Sequence, residues 1–312
     1  MKILITGGAG FIGSHIADLL IQRNHNIVII DNLSTGKKEN INIKARFYHE
    51  DLCNIKNIYD IFKKEKPEII YHCAAQINLR ESIKNPVKDA KNNIINTLHL
   101  LNLAVKYNVR HFIFSSTGGA LYGDMPMSRI PTTEIEKENP LSPYGCSKLS
   151  VEKYLKFYNK VYGLKYTSLR YSNVYGPRQN SKGEAGVIAV FLDNMQNNKN
   201  PVIYGGVQTR DFVYVQDVAY ANFLVLNDDK SDIYNIGTGK QTDIIEIFGK
   251  INQLYNNKFK PEFKEMKKGK QKRSSLSHNK ITSELGWIPR VNLDEGIYKT
   301  YTWFLKNNEV LV

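Results

Sequence analysis

The chain has 312 residues, enough to bury a full core in one or two domains. Its 42 % hydrophobic and 23 % charged residues are those of a soluble globular protein, and no apolar run approaches the roughly 18 residues of a membrane span. Cys53, Cys73 and Cys146, odd in number and without CxxC spacing, argue against a disulfide framework or a zinc site. The first apolar run, Ile3-Leu4-Ile5, is too short for a signal peptide and breaks at glycine, so a reducing cytoplasm is the expected location. It reads instead as a strand, followed by Thr6-Gly7-Gly8-Ala9-Gly10-Phe11-Ile12-Gly13 and a helical stripe of Ile16, Leu19 and Leu20. Strand, Gly-rich turn and helix form the context in which Gly7, Gly10 and Gly13 cradle a pyrophosphate. They permit a tight turn, close backbone approach and helix packing, while the first-turn N–H groups face the phosphates. Ile27 to Ile30 is a second buried strand ending at Asp31, placed to bind a ribose diol.

Strands and amphipathic helices alternate for another 140 or so residues. Arg46 to His49 precedes Asp51-Leu52, and Ile69 to Cys73 leads into Ala74-Ala75-Gln76. A helix carrying Ile94, Leu98, Leu101 and Val105 feeds a strand from His111 to Ser115. Another, from Ser147 to about Tyr162, feeds Tyr166 to Arg170. This order predicts a doubly wound α/β fold: a parallel sheet covered on both faces, with ligands beyond the carboxyl ends of its strands. After Asn173 the pattern breaks. Tyr175 to Gly186 reads as loop, followed by a helical segment and short strands at Pro201–Tyr204 and Arg210–Val215. A smaller C-terminal α/β domain is expected from residues 173–213 and 236–312. The chain returns to the first domain (1–172) near 214–235.

The net charge of +13 includes one dense cluster, Lys258 to Arg273, with eight positive and two negative residues. No aromatic-basic RNA motif or helix-turn-helix pattern accompanies it. Attraction of an anionic small substrate is the more economical use of that charge than nucleic-acid binding.

Tyr144-Gly-Cys-Ser-Lys148 places a phenol and an ammonium one helical turn apart. A phenol of pKa near 10 is a poor base at neutral pH, and a neighbouring ammonium is expected to lower that pKa. Tyr59-Asp-Ile-Phe-Lys63 has the same spacing, but lies in a charged helix from Ile58 to Lys66 with no loop signal, and reads as a surface coincidence. The Tyr144 copy follows the turn Leu141-Ser142-Pro143 and the strand ending Ser115-Ser116-Thr117. Thr117 and Ser116 offer hydroxyls to a substrate, or else cap the turn before Gly118-Gly119.

TGGAGFIG, Asp31, Asp51-Leu52, HCAAQ, SSTGGALYG, YGCSK, LRYSNVYGPR, TRDFVYVQDVA, YNIGTG and ELGW occur in the order seen in extended short-chain dehydrogenase/reductases. From end to end the chain resembles the NAD-dependent UDP-glucose 4-epimerase group, including its UDP-N-acetylglucosamine 4-epimerase relatives. The resemblance implies a Rossmann-type NAD-binding domain and a UDP-sugar substrate. It implies that Tyr144 takes the proton of the sugar 4′-hydroxyl as the C4′ hydride leaves for NAD. Lys148 would hold the cofactor ribose, and Thr117, with Ser116 as the alternative, would bond the 4′-oxygen. The resulting 4-keto sugar turns over and is re-reduced on its other face.

Carried over by motif, Gly7, Gly10, Phe11, Ile12 and Gly13 line the pyrophosphate. Asp31, Asn32, Ser34, Thr35 and Gly36 hold the adenosine ribose, and Asp51 and Leu52 flank adenine. Cys73, Ala74, Ala75, Gln76, Asn93, Ser115, Tyr144, Lys148, Tyr171 and Ser172 complete the NAD site. Thr117, Tyr144, Asn173, Val187, Val202, Tyr204, Arg210, Lys267 and Ser274 would meet the nucleotide sugar. For Arg210 the alternative is a surface ion pair with Asp211. Asp31 favours NAD over NADP, although Lys37 and Lys38 could meet a 2′-phosphate. The resemblance also implies a homodimer through the Asn93–Tyr107 and Ser147–Tyr162 helices.

Two positions depart from the group's pattern. Lys267-Lys268-Gly269-Lys270 stands where an Arg-x-Gly-Asp/Glu motif binds diphosphate and ribose, so a bidentate fork is lost and an acidic position becomes basic. Ser274 falls where glucose-restricted members carry a bulky tyrosine, leaving room for a 2-acetamido group. Dehydratases of this fold need an Asp-Glu pair, and decarboxylases a Glu, just after the Thr that here precedes Gly118-Gly119. A keto-sugar reductase would need NADPH, which Asp31 disfavours. A non-catalytic NAD sensor would be expected to lack the Tyr or the Lys.

Overall fold

Strands that read as continuous Ile- and Val-rich runs must be covered on both faces, and the sheet obeys that requirement. The computed structural model of the chain describes residues 1–182, 186–265 and 271–308. Its first half comprises β1 (Lys2–Thr6), α1 (Phe11–Gln22), β2 (Asn26–Asp31), β3 (Arg46–His49), α2 (Ile55–Glu65), β4 (Ile69–His72), α3 (Leu79–Lys84) and α4 (Pro86–Ala90). A π-helical turn, Lys91–Ile95, runs into α5 (Asn96–Lys106), then β5 (His111–Thr117), α6 (Gly118–Leu121), α7 (Pro143–Tyr162), β6 (Lys165–Tyr171) and β7 (Asn173–Tyr175). The remainder is α8 (Val187–Gln196), β8 (Val202–Tyr204), β9 (Thr209–Arg210), β10 (Phe212–Tyr214), α9 (Val215–Leu224), β11 (Asp232–Ile236), β12 (Thr242–Asp243), α10 (Ile244–Gln253), β13 (Glu262–Lys264), α11 (Asn279–Leu285) and α12 (Leu293–Asn308).

Seven parallel strands form the main sheet in the order β11-β6-β5-β4-β1-β2-β3. Strand order reverses between β1 and β4, so the crevice for a ligand opens at their carboxyl ends. Side chains alternate across the sheet. Ile3, Ile5, Ile27, Ile29 and Ile113 face one core with α1 and α9, while Leu4, Val28, Ile30, Phe112 and Phe114 face the other with α2, α5 and α7.

A third core gathers Ile188, Phe191, Leu192, Phe212, Ile247 and Ile251 from the C-terminal lobe. Small two-stranded sheets, β7 with β10, β9 with β12 and β8 with β13, frame this lobe. The chain passes between the layers more often than its sequence pattern suggests. Ile281 and Trp287 pack into the first-domain core, and the Trp287 indole N–H donates to the Asp217 carbonyl at 2.9 Å. Among the described residues no helix is long and apolar enough to cross a membrane.

Candidate active site

The Gly-rich turn is shaped by contacts that leave no room for side chains. Gly7 has φ +71°, and a Cβ there would lie 2.6 Å from the Ala74 nitrogen. At Gly13 a Cβ would lie 2.3 Å from the Gly7 carbonyl oxygen, so α1 sits directly on the turn. Gly10 caps α1 without a side-chain acceptor, leaving the first-turn N–H groups of Phe11 and Ile12 facing outward from the helix end.

Asp31, only 8 % exposed, accepts from Ala9 N at 3.0 Å and Leu33 N at 2.8 Å, so each oxygen keeps acceptor capacity. The loop over it is knitted by Asn32, whose amide donates to Asp51 at 2.7 Å and whose oxygen accepts from Ser34 N at 3.0 Å. A Cβ on Gly36 would meet an Asp31 carboxylate oxygen at 2.9 Å, so Thr35-Gly36 closes tightly on the carboxylate. Leu52 packs against the α2 core. Lys37 lies 3.6 Å from Glu39 at the surface.

Beyond β4, Cys73 N donates to the Thr6 carbonyl at 3.0 Å and Ala74 N to the Thr6 hydroxyl at 3.4 Å, with Ala75 next in the loop. Asn93, on the π-helical turn, grips the Gln76 backbone from both sides: its Oδ1 accepts from Gln76 N at 2.8 Å and its Nδ2 donates to Gln76 O at 2.9 Å. Ser115 donates to the Cys73 sulfur at 3.2 Å, and burial pushes that thiol up to about 11. Tyr171 lies 3.3 Å from the Ser115 hydroxyl and is bonded to Asn222. The buried Ser172 hydroxyl has no hydrogen-bond partner among the described residues. A glycine cradle at a helix N-terminus, a carboxylate at the end of β2 and an unpartnered hydroxyl beside the crevice fit a dinucleotide.

Ser142 caps α7 by accepting from Gly145 N at 3.1 Å, and Pro143 occupies the first turn. The helix therefore starts four residues before Ser147 and carries Tyr144 and Lys148 on one face. Lys148, 3 % exposed, donates to the Ser115 carbonyl at 2.8 Å and lies 5.8 Å from the centroid of the Tyr144 ring. Burial lowers the ammonium to about 8, opposed by Cys73, Asp89 and Glu152. The expected lowering of the Tyr144 phenol is not what the protein alone produces. Enclosure pushes the phenol upward, and the nearby Asp89 charge adds to that. Among the described residues Lys148 is bonded to the Ser115 carbonyl and not to the phenol. The second Tyr–Lys copy differs as well: Tyr59 accepts from Lys106 at 3.4 Å, not from Lys63.

Ser116 is corrected as a substrate hydroxyl. Alternation along β5 turns it to the α7 face, where it is 4 % exposed and donates to Glu152 at 2.7 Å. Thr117 lies on the opposite face and caps α6, accepting from Ala120 N at 3.2 Å. A Cβ on Gly119 would lie 4.0 Å from Thr117 Oγ1 and 3.9 Å from Ser274 Oγ, so the three residues line one space.

Arg210 does not pair with Asp211. Its guanidinium donates to the carbonyls of Thr209 at 2.7 Å, Gln271 at 2.7 Å and Lys272 at 3.2 Å, and burial lowers its pKa. Asp211 points the other way and accepts from Thr238, Gly239 and Leu276. Among the described residues the guanidinium is bonded to carbonyls, which leave its charge for an anion. Asn173 joins this lobe through its N–H to the Asp211 carbonyl at 2.9 Å, Val187 opens α8, and Val202 and Tyr204 share one face of β8. Lys267, Lys268 and Lys270 lie outside the described residues.

Three buried groups escaped the sequence reading: Asp89, Glu152 and Arg170. Arg170 donates to Glu152 at 2.6 Å and Glu138 at 2.7 Å, tying β6 to the helix that carries Tyr144. Among the described residues no cluster of His, Cys, Asp and Glu could hold a metal ion.

Fold and site together define an α/β enzyme of the dinucleotide-dependent class, with its crevice at the carboxyl ends of the sheet strands. Residues 3–237 match the model of the NAD dependent epimerase/dehydratase family, and the chain belongs to that family. A Methanocaldococcus jannaschii relative is 47 % identical over 307 residues, covering 98 % of this chain and 99 % of the relative, and a Mycolicibacterium smegmatis UDP-glucose 4-epimerase is 36 % identical over 317 residues, covering 99 % and 100 %. The Thermotoga maritima UDP-glucose 4-epimerase, solved with UDP-glucose, superposes with a TM-score of 0.96 at 45 % identity, covering 99 % of this chain and 100 % of that one. A UDP-N-acetylglucosamine 4-epimerase from Methanobrevibacter ruminantium, solved with UDP-N-acetylmuramic acid, superposes with a TM-score of 0.92 at 35 % identity, covering 98 % of this chain and 98 % of that one.

Proposed function

We propose that the chain is an NAD-dependent 4-epimerase of UDP-sugars, turning over UDP-glucose and UDP-galactose and also UDP-GlcNAc and UDP-GalNAc. The observation that carries this reading is that α7, which bears Tyr144 and Lys148, is bonded through Lys148 to Ser115, two residues before Thr117, with the small residues Gly119 and Ser274 beside Thr117. The relatives' described activities point the same way.

Tyr144 removes the proton from the sugar 4′-hydroxyl and later returns one to the 4-keto sugar's oxygen. Thr117 keeps its hydroxyl proton free while its oxygen caps α6, so it can donate to the 4′-oxygen. Lys148, fixed to the Ser115 carbonyl, supplies the positive charge that favours a phenolate. The Gly7–Gly13 turn, Asp31 and Ser172 would hold NAD, which would supply the acceptor and then the donor of the C4′ hydride with no net change over a turnover. Gly119 and Ser274 leave space in which a keto sugar turns over, and Ser274 leaves space for a 2-acetamido group. Arg210 offers its charge to the diphosphate. Gly118-Gly119 lacks the acid/base pair that dehydration needs.

Two copies are proposed to pair through α5 and α7, whose outer stripe exposes Tyr154, Phe157, Val161 and Tyr162. A cytoplasmic role in galactose metabolism completes the reading. Purified protein is incubated, without added cofactor, with UDP-galactose and UDP-GalNAc separately. Conversion of both to their 4-epimers supports the reaction, its range and the retained NAD; no conversion of either defeats it.

A further inference from the structure

Asp89 sits on α4, 1 % exposed, with no cation bonded to it among the described residues. A carboxylate removed from water must recover its lost hydration through hydrogen bonds. Asp89 does so by accepting three side-chain donors from two different parts of the crevice. The Ser147 hydroxyl donates at 2.6 Å, and Ser147 lies on α7 between Tyr144 and Lys148. The Asn93 amide donates at 3.0 Å and the Gln76 amide at 3.0 Å. Asn93 in turn clamps the Gln76 backbone, so the carboxylate joins α7 to the loop after β4.

We propose that Asp89 is a positioning residue: it locks the helix bearing Tyr144 and Lys148 to the cofactor-side loop. The inference rests on the reading of Tyr144 and Lys148 as the proton-transfer pair. The groups facing these side chains are few. From α7 itself come Tyr144 and Glu152, from β4 and the residue after it come His72 and Cys73, and from α4 comes Asp89. Arg80 and Lys84 on α3, and Lys91 on the π-helical turn, are exposed; Glu81 pairs with Lys88 at 3.3 Å. Asp89 is thus the carboxylate that acts on both members of the pair. It raises the Lys148 ammonium against burial and raises the Tyr144 phenol. The same charge that secures the lysine makes the tyrosine a stronger base once it is deprotonated.

The test uses the full chain with its bound NAD, labelled with carbon-13 at lysine Cε, and Lys148→Met assigns the resonance. In Asp89→Asn the Lys148 midpoint is expected to fall by about half a pH unit or more from its value of about 8. Asp89→Glu, which keeps the charge, stays close to the unaltered protein. A midpoint in Asp89→Asn within about 0.2 units of the unaltered protein overturns the electrostatic part. Ser147→Ala keeps the carboxylate but cuts one of its ties, and bound NAD is then expected to exchange at least about threefold faster. Exchange at the unaltered rate overturns the positioning part, and this arm decides even where Asp89→Asn does not fold. Neither readout needs a sugar. Failure to convert UDP-galactose would count against the assigned reaction alone and leave both measurements standing.

Discussion

The Lys148 ammonium donates to the Ser115 carbonyl at 2.8 Å, and that bond pins α7 to β5 two residues before the strand ends. The charge is therefore stationary whichever protonation state Tyr144 adopts. The ammonium stands 5.8 Å from the centroid of the Tyr144 ring, so in the proposed reaction it acts on the phenol through space. Lys148→Met is expected to cut kcat by about 10²- to 10⁴-fold, the range for losing a group that supports proton transfer. Lys148→Arg should restore little, because a planar fork does not occupy the place of a compact ammonium. Steady-state conversion of UDP-galactose measures both.

Tyr144→Phe separates chemistry from cofactor retention. It removes the phenolic oxygen, to which no described residue is hydrogen-bonded, so the fold should be undisturbed. Turnover is expected to fall by at least about 10²-fold while NAD still co-purifies. Near-normal turnover would show that another group takes the proton.

Lys148 also sets the alkaline limb. Its ammonium titrates near 8, well below an unfolded lysine at about 10.4. Turnover should decline as pH rises through about 8, since the charge favouring the phenolate is lost. Stability moves oppositely. Between about pH 8 and pH 10 the unfolded chain binds a proton that native Lys148 has released, so stability from this group rises with pH. The cost of burying the ammonium is fully present below that window. Urea unfolding of the unaltered protein and Lys148→Met across the window should show their stability difference shifting toward the unaltered protein.

Ser274, 5 % exposed and lining the space beside Gly119, is the expected gate for the 2-acetamido group. Ser274→Tyr should lower kcat/KM for UDP-GalNAc by about 100-fold or more, through steric exclusion, and for UDP-galactose by less than about 10-fold. Equal losses on both substrates would mean that Ser274 does not discriminate between them.

Arg170 is 1 % exposed and neutralises Glu152 and Glu138 together. Arg170→Met strands Glu152, itself 1 % exposed, and is expected to destabilise the fold by about 3–5 kcal/mol in urea titrations. Adding Glu152→Leu should recover part of that loss, because the stranded charge, rather than the missing contact, is the larger cost.

The first-domain strands were legible because a buried parallel sheet writes itself as short apolar runs between amphipathic helices. The side to which Ser116 turns was also written there: Phe112 and Phe114 share its parity, and Ile113 shares that of Ser115 and Thr117. The helix stripe through Ile94 and Leu98 gave no sign of the π-helical turn at Lys91–Ile95, which leaves hydrophobic spacing nearly unchanged. Asp89 and Ser147 are 58 residues apart, and nothing periodic connects them. Glu152 and Arg170 were similarly silent, since a charged residue in an amphipathic helix reads as solvated until a strand closes over it. Ile281 and Trp287 lie in a short segment without the length or period to declare which core it joins.

Trp287, fully buried among the side chains of β1, β2 and α9's layer, has a bearing on how the protein is made. A ribosome delivers the six N-terminal strands long before it delivers β11 and the indole that seals the layer beneath them. β11 arrives after β7, α8 and β8 to β10 of the smaller lobe, and the indole only after β12, α10 and β13 as well, so the layer is sealed late in synthesis. Chains truncated before residue 287 should therefore retain the nucleotide-binding half in sequence yet present an unsealed apolar face to the cell's quality control.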